Sequence, residues 1–485
     1  MLPSGSSPKL NAMSSPATRR AGPPVVFRPG PPTGNPSRRA PAAVRRSPAP
    51  PNPLVPRLAV LLALGGLAWV VALGLTSLPP REVAAPGGPA LLAGTATGLV
   101  GTYLAMLMVL LAGRLPAMER AVGLDRLLRW HRRLAPWPIG LIVAHAVLVP
   151  IGEAEAARSG LGRTVWSLVL DTPDVLAATV ALGLMVLVGV VSLGVIRRRL
   201  AREVWWAVHL YLYLALALAF AHAVVLGPSF VGHPLTQVVW SAAWAATAGV
   251  VLVARVGLPL ARSVRHRLEV AEVRSEAPGV VSVVLRGRRL ERLPVAGGQV
   301  VLWRFLARGL WWQAHPYTLS ALPRPPHLRI TVRVVGDHSR AVSQLAPGTR
   351  VVFEGPYGAF TGARRRFERV LLVAGGIGIT AVRSLLEELP PTSQPVVLLR
   401  ARRAEDLALV DEVEALVARA GGRLHRLLGP RDQVRLDPRS LLRLVPDAQA
   451  RDVYVSGPPG LVAELRRTCR RLGLPRACFH GEAYG

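Results

Sequence analysis

Apolar residues fill six stretches of the first half of the chain almost without a break: Leu58–Leu78, Pro89–Gly113, Leu134–Ile151, Val175–Ile196, Val204–Gly227 and Val238–Ala254. Each approaches the ~20 residues a helix needs to cross a bilayer. Six in succession with short joining loops predict membrane spans, since buried helices of a soluble protein do not recur in this way. From about Leu268 the pattern changes to period two, in LEVAEVRS, GVVSVVLRG, QVVLWRF, HLRITVRVVG and TRVVFEG. Alternation broken by turn residues predicts a small antiparallel barrel. From Phe367 strands alternate with Gly turns and helices, which predicts a parallel α/β sheet. The fold class is therefore a multi-domain membrane protein: a six-helix transmembrane bundle, an antiparallel β-barrel and a parallel α/β nucleotide-binding domain. Boundaries are expected at 57–260, 261–366 and 367–485. Residues 1–56 are rich in Pro, Ser, Gly and Arg and hold no acidic residue. They read as a disordered basic arm, not a signal peptide.

Charge adds orientation. The 485 residues carry 59 basic and 28 acidic side chains, a formal +31, yet are 51% hydrophobic with mean hydropathy +0.35. A disordered polycation has too little apolar surface for that, and an ordinary soluble enzyme has no cause to average hydropathic. Lys9 is the only lysine, so the positive charge is nearly all Arg. With the N-terminus cytoplasmic, the inner segments hold Arg57, Arg114, Arg120, Arg126, Arg129, Arg132, Arg133, Arg197, Arg198, Arg199, Arg202 and Arg255. The outer loops hold only Arg81, Arg158 and Arg163, against Glu82, Glu153, Glu155, Asp171 and Asp174. This asymmetry predicts a multi-pass protein of the cell membrane, its arm and C-terminal half cytoplasmic, facing anionic lipid. Nucleic-acid binding has only charge behind it, without aromatic interleaving or a recognition helix. Cys469 and Cys478 are too few for a disulfide framework, an iron–sulfur cluster or a structural zinc site.

Four histidines stand at membrane depth. His131 and His145 bracket the third apolar stretch, and His209 and His222 lie in the fifth. Ionisable residues there are rare and usually functional, and imidazole is a standard axial ligand of haem iron. Both spans run outward, so His131 and His209 lie near the inner surface, with His145 and His222 together further out. Two such helices can hold two stacked haems roughly 20 Å apart along their axes. A spacing of fourteen residues returns to within ~40° of one face, but thirteen residues miss it by ~140°. The fifth helix is thus expected to tighten locally or to use compensating rotamers, and Pro136 and Pro138 blur the register of the third. A histidine bonded to a neighbouring carbonyl is the plainer reading of any one of them. His233, in an outer loop, is read as non-ligating.

The cytoplasmic half carries nucleotide motifs. HPYTLSA, from His315 through Pro316, Tyr317, Thr318, Leu319 and Ser320 to Ala321, follows Trp311 and Trp312. An aromatic flanked by hydroxyls at a barrel strand's end can cover a flavin and offer a hydrogen bond near its reactive nitrogen. It can also be a packed strand end. In RVVGDHS, Arg333 precedes Gly336, Asp337, His338 and Ser339 at a helix start, a pattern suited to a pyrophosphate and equally to an N-capped helix without ligand. AGGIGIT places Gly375, Gly376, Gly378 and Thr380 between a strand and a helix, where the backbone can approach a dinucleotide phosphate. Arg400, Arg402 and Arg403 follow the next strand, where a 2′-phosphate would be gripped, which leans the reading to NADPH; a solvated charge run fits them too. Ser456, Gly457 and Pro458 form a second strand-to-helix turn, and the chain ends with Glu482 and Tyr484 in FHGEAYG.

Spans, histidine pairs, barrel and nucleotide motifs in this order resemble the ferric reductase/NADPH oxidase family of transmembrane flavocytochromes b. The resemblance covers roughly Leu58 onward, with a ferredoxin–NADP reductase-like module in the cytoplasmic half. It implies FAD, NAD(P)H and two b-type haems. His131 and His209 would ligate the inner iron, and His145 and His222 the outer. His315–Ser320 would match the family's HPF[ST] flavin motif, with Tyr317 replacing Phe. Arg333 and Gly336–Ser339 would meet the FAD phosphates, and Gly375–Thr380 the nicotinamide dinucleotide. Thr318, Ser456, Glu482 and Tyr484 would serve catalysis beside the flavin. Ala381 stands where the family often has Pro, and Ser456 where it often has the Cys that helps position nicotinamide. The implied function is an NAD(P)H-dependent transmembrane oxidoreductase delivering electrons to a small-molecule acceptor or a redox partner outside. The alternative is a non-catalytic haem-binding sensor or scaffold with a vestigial nucleotide domain. Oligomeric state is not legible.

Overall fold

The computed structural model describes residues 54–484, so the expected arm lies almost wholly outside the described residues. Six helices are long and apolar enough to cross a membrane: Leu54–Leu75, Gly88–Ala112, Arg126–Ala156, Val175–Ser192, Glu203–Leu226 and Pro234–His266. They reproduce the six expected spans, with two differences. The first begins at Leu54, inside the stretch assigned to the arm. The third is 31 residues long because its N-terminal segment, Leu124–Leu134, continues through helical Ala135 into Pro136–Ala156. Pro136 and Pro138 follow Ala135, where the hydrogen-bond ladder is interrupted while the backbone stays right-handed helical. Helical register therefore carries from His131 to His145.

The second and third spans pack backbone to backbone along Gly94, Gly98 and Gly101, opposite Val149, His145 and Ile142. Val70, Leu99, Met106, Phe230 and Trp240 form an apolar core among the first, second and sixth spans. Most other span side chains face outward, as expected where lipid is the solvent.

The barrel contains β1 (Leu268–Ala277), β2 (Val280–Arg286), β3 (Val300–Phe305), β4 (His315–Arg324), β5 (His327–Arg333) and β6 (Arg350–Tyr357). It closes in the order β1-β2-β5-β4-β3-β6, with β1 pairing β6. Inward residues such as Val283, Val301, Trp303, Leu319, Ile330 and Phe353 fill it. HPYTLSA opens β4; it does not end a strand, so its side chains alternate between the barrel core and the outer wall.

The last domain is a parallel sheet ordered β11-β10-β7-β8-β9, from β7 (Val370–Gly375), β8 (Val396–Ala401), β9 (Arg423–Leu428), β10 (Asp452–Gly457) and β11 (Phe479–Ala483). Every residue of β7, β8 and β10 is buried, as central strands covered on both faces require. The turns after β7 and β10 open at the same end of the sheet, where such folds bind ligands.

Candidate functional site

The histidines meet in the two expected pairs. Ring centroids of His131 and His209 lie 6.3 Å apart, and those of His145 and His222 lie 6.2 Å apart. Imidazole binds a transition metal at ~2 Å; two such bonds plus the ~1.1 Å from each nitrogen to its ring centre span ~6 Å. Both pairs therefore fit a bis-imidazole iron. The Nδ1–H of His131 donates to the Met108 carbonyl at 3.1 Å, and that of His145 to the Gly94 carbonyl at 2.8 Å. Donation from Nδ1 leaves the Nε2 lone pair for a metal and fixes the ring. Nδ1 of His209 and of His222 is buried without a partner, although Trp205 stacks on the His209 ring at 4.9 Å.

No tightening accompanies the thirteen-residue spacing. The fifth span is one α-helix from Arg202 to Leu226, so the offset is absorbed by helix crossing and side-chain conformation. Sequence reasoning missed Gly98. A methyl group there would stand 2.7 Å from Nδ1 of His145, the same nitrogen that donates to the Gly94 carbonyl one turn earlier on that helix. Gly98→Ala is expected to weaken any haem binding by the His145–His222 pair 10–100-fold, the usual cost of disturbing a ligand's supporting shell. Haem-to-protein stoichiometry after detergent washing checks it, and an unchanged ratio would remove Gly98 from the site.

Thr318, Ser456 and Tyr484 converge from β4, the end of β10 and the chain end. The Tyr484 hydroxyl bonds the hydroxyls of both Ser456 and Thr318, and its backbone N–H donates to the Gly457 carbonyl at 3.0 Å. Burial, then the charge of Glu482, raises the Tyr484 phenol well above its ordinary value, so it stays a neutral donor. Glu482 pairs with Ser456 in the β10–β11 register and is half-buried beside this cluster. Burial also lifts the Tyr317 phenol to about 12. The His315 ring lies against Tyr317 and, at 3.3 Å between centroids, against His338, whose two ring nitrogens are buried without partners. Tyr317, Thr318, Tyr484 and the unsatisfied His338 form a cluster of aromatic rings and hydroxyl or imidazole hydrogen-bonding groups, a chemistry suited to a flavin.

Other expected contacts point elsewhere. Leu319 is 1% exposed inside the barrel core. Ser320 is fully buried; its hydroxyl accepts from Arg329 Nε at 3.0 Å and from Thr331 at 2.8 Å. Alternation along β4 and the bulge at Leu319/Ala321 turn both away from the cleft. Pro316 is exposed on β4. Ser339 Oγ caps its own helix, accepting from the Val335 and Gly336 amides, and exposed Asp337 pairs with Arg340.

A second cavity, of about 420 Å³, is lined by Arg333, Gly375, Gly376, Arg400, Arg402, Arg431 and Pro458. Arg333 thus reaches the Gly turn of the α/β domain. Gly378 admits no side chain, because a Cβ would stand 2.0 Å from the Ser456 carbonyl oxygen. Thr380 donates to the Ile377 carbonyl at 3.0 Å within that turn. Arg400 is tied to Glu464 at 3.5 Å and to the Arg431 carbonyl at 3.2 Å, and Arg403 to Glu405. Arg431 sits 31 residues beyond Arg400, outside any motif, so only the fold brings it to the cleft.

Between barrel and α/β domain lies a charged network that no motif announced. Arg329 and Arg383, both 0% exposed, share Glu412: Arg329 grips it with two bonds of 2.8 and 2.9 Å, and Arg383 Nε donates at 2.7 Å. Glu387 binds Arg383 at 2.7 Å and Arg324 at 2.8 Å.

The family described as ferric reductase like transmembrane component matches residues 97–220, and the FAD-binding domain family matches residues 267–361. Ferric/cupric reductase transmembrane component 1 of Candida albicans is 24% identical over 61% of this chain and 38% of its own length. Human dual oxidase 1 is 24% identical over 56% of this chain and 18% of its own length. The ferredoxin–NAD(+) reductase component of an alkene monooxygenase system from Xanthobacter autotrophicus is 34% identical over 27% of this chain and 44% of its own length. The chain spans half or less of the curated relatives it matches first. The chain thus joins a membrane half matching the ferric reductase like transmembrane component to a barrel matching the FAD-binding domain, and is similar across both to ferric/cupric reductases and dual oxidases.

Proposed function

We propose that the chain carries electrons from cytoplasmic NAD(P)H, through FAD and two b-type haems, to an acceptor outside: a ferric chelate, dioxygen or a redox partner. The observation that carries this reading is the pair of histidine couples, each at iron-bridging separation and at two depths of one bundle. The flavin would supply the conversion from a two-electron donor to one-electron carriers. The chain's own residues do the rest. Arg333, Arg402 and Arg431 offer positive charge to a dinucleotide phosphate above the Gly375–Gly378 turn. Thr318, Ser456 and Tyr484 orient the reacting rings through three neutral hydroxyls. Two histidines holding each iron would leave no open coordination position, which suits electron transfer. Arg400, engaged by Glu464 and the Arg431 carbonyl, offers less to a 2′-phosphate than its place in the sequence implies, leaving Arg402 and Arg431 to set any preference for NADPH.

Stopped-flow mixing of the detergent-solubilised protein with NADH or NADPH tests the reading. Flavin bleaching followed by reduction of a b-type haem spectrum is the expected order. A negative pyridine haemochrome assay on folded protein, or nucleotide binding without turnover, would instead support a sensor or scaffold.

A further inference from the structure

The four span histidines are not held alike. Nδ1 of His131 and of His145 each donates to a backbone carbonyl of the second span, at 3.1 and 2.8 Å. Nδ1 of His209 and of His222 is buried without a partner. An imidazole lacking that bond has neither its ring plane fixed nor the added basicity that an outer partner gives a metal ligand. His209 has a neighbour that His222 lacks. The Trp205 indole lies against its ring, with centroids 4.9 Å apart and planes inclined by 26°. Trp205 and His209 are four residues apart on the fifth span, so one helical face presents both. Four residues before His222 stands Leu218, which has no ring to stack.

The indole is itself fixed. Its Nε1–H donates to the Ser192 hydroxyl at 3.2 Å, at the end of the fourth span. The Arg197 guanidinium, from the segment joining the fourth and fifth spans, lies over the indole at 4.5 Å. A tryptophan at a span end ordinarily anchors the helix at the lipid boundary. Trp206, 55% exposed, is turned outward as such an anchor is. Trp205 is half-buried instead, with its one polar atom satisfied by protein and its ring against an imidazole.

Geometry gives this contact a task. Thirteen residues put His209 and His222 on different faces of their helix, so side-chain torsions must swing at least one of the two rings to its partner. The rings of His131 and His209 stand 6.3 Å apart and are inclined by 65°. A bond to the Met108 carbonyl fixes the first of them. Only the stack on Trp205 is placed to fix the second.

We propose that Trp205 is the positioning residue of His209. The stack holds the imidazole in the plane and direction that face His131, the task that backbone carbonyls perform for His131 and His145. Ser192 and Arg197 act at one remove, by holding the indole. The hold on the ring stands by itself, whereas its consequence for an iron rests on the electron-transfer reading given above. The inner pair is thus clamped at both rings and the outer pair at one.

Nuclear magnetic resonance of the full chain, with labelled histidine rings and before haem is added, reads the contact directly. A proton over an indole face is displaced upfield by the ring current. One histidine, identified by its loss in His209→Gln, should show that displacement in the parent, show it in smaller degree in Trp205→Phe and lose it in Trp205→Leu. Signals of His145 and His222 should not move, and Trp206→Leu should change none of them. After haem loading, Trp205→Leu should weaken retention at the His131–His209 pair 10–100-fold, the usual cost of removing a ligand's supporting partner, and spare the other pair. Electron paramagnetic resonance supplies a signature that a general loss of packing does not. The g values of a low-spin iron between two imidazoles follow the angle between the rings, so one of two signals should shift in Trp205→Leu and return in Trp205→Phe. If Trp205→Leu does not fold, Ser192→Ala combined with Arg197→Gln, which frees the indole without removing it, carries the test and should move the same signals the same way. A His209 resonance that stays in place when the indole is removed or freed overturns the proposal. So does a retention loss shared equally by both pairs. A parent chain that takes up no haem overturns the electron-transfer reading instead, and the ring-current comparison still decides on Trp205.

Discussion

On the proposed two-haem reading, His222→Ala is expected to leave one haem in place of two, and to lower electron delivery to an outside acceptor more than ~100-fold. Loss of a supporting partner already costs 10–100-fold, and here the ligand itself is removed. His145 would keep its place, held by the Gly94 carbonyl and Gly98, so the loss is confined to one coordination position. NAD(P)H-driven flavin bleaching and reduction of the inner haem should persist, because His131 and His209 lie at the other depth. Pyridine haemochrome stoichiometry and stopped-flow spectra read both halves of the expectation. Two haems per chain in the variant would show that the His145–His222 pair holds none.

Glu412→Gln should destabilise the reductase half by about 3–5 kcal/mol, the cost of stranding a buried charge after its partner is removed. Two guanidiniums are at stake, since Arg329 and Arg383 are fully buried and share that one carboxylate. Arg383 keeps Glu387, so Arg329 bears most of the loss. Burial alone would raise the Glu412 carboxyl, but bonds and charges from Arg329 and Arg383 outweigh it and hold the carboxyl below its ordinary value. With the folded value depressed, the contribution is complete above the unfolded value of ~4.3 and is lost as pH falls through the folded one. Thermal unfolding at pH 7 and at acid pH checks both: parent and variant should differ most at neutral pH and converge in acid. A gap that ignores pH would mean the carboxylate charge is not what stabilises the interface. Adding Arg329→Met should recover much of the loss, since apolar replacement of a buried ion pair is often neutral or better.

These residues mark where sequence reading stops. The spans are legible because a bilayer imposes length and apolarity locally, and the histidine pairs because depth follows from counting along a helix. Ideal helical angles mislead at His209 and His222, since a side chain can swing further than a backbone position. Glu412 and Arg329 are 83 residues apart, and each sits in a pattern that reads as amphipathic surface. An Arg-rich background hides which few guanidiniums are buried. Thr318, Ser456 and Tyr484 were each legible as motif ends, but their meeting depends on the β10–β11 register and on how the sheet docks against β4.

The sixth span has a mechanical consequence. It runs 33 residues, from Pro234 to His266, or ~50 Å at 1.5 Å per residue. Hydrocarbon accounts for ~30 Å of that, which brings the bilayer boundary to the π-helical turn Val253–Gly257. The remaining ~20 Å stands clear of the lipid as a stiff post. Arg255 and Arg262 bolt the post to Glu354 and Gly355, and β1 begins two residues after it ends. A barrel mounted in this way has no hinge to swing on. Its spacing from the His131–His209 pair is therefore set by helix geometry and by these two arginine contacts.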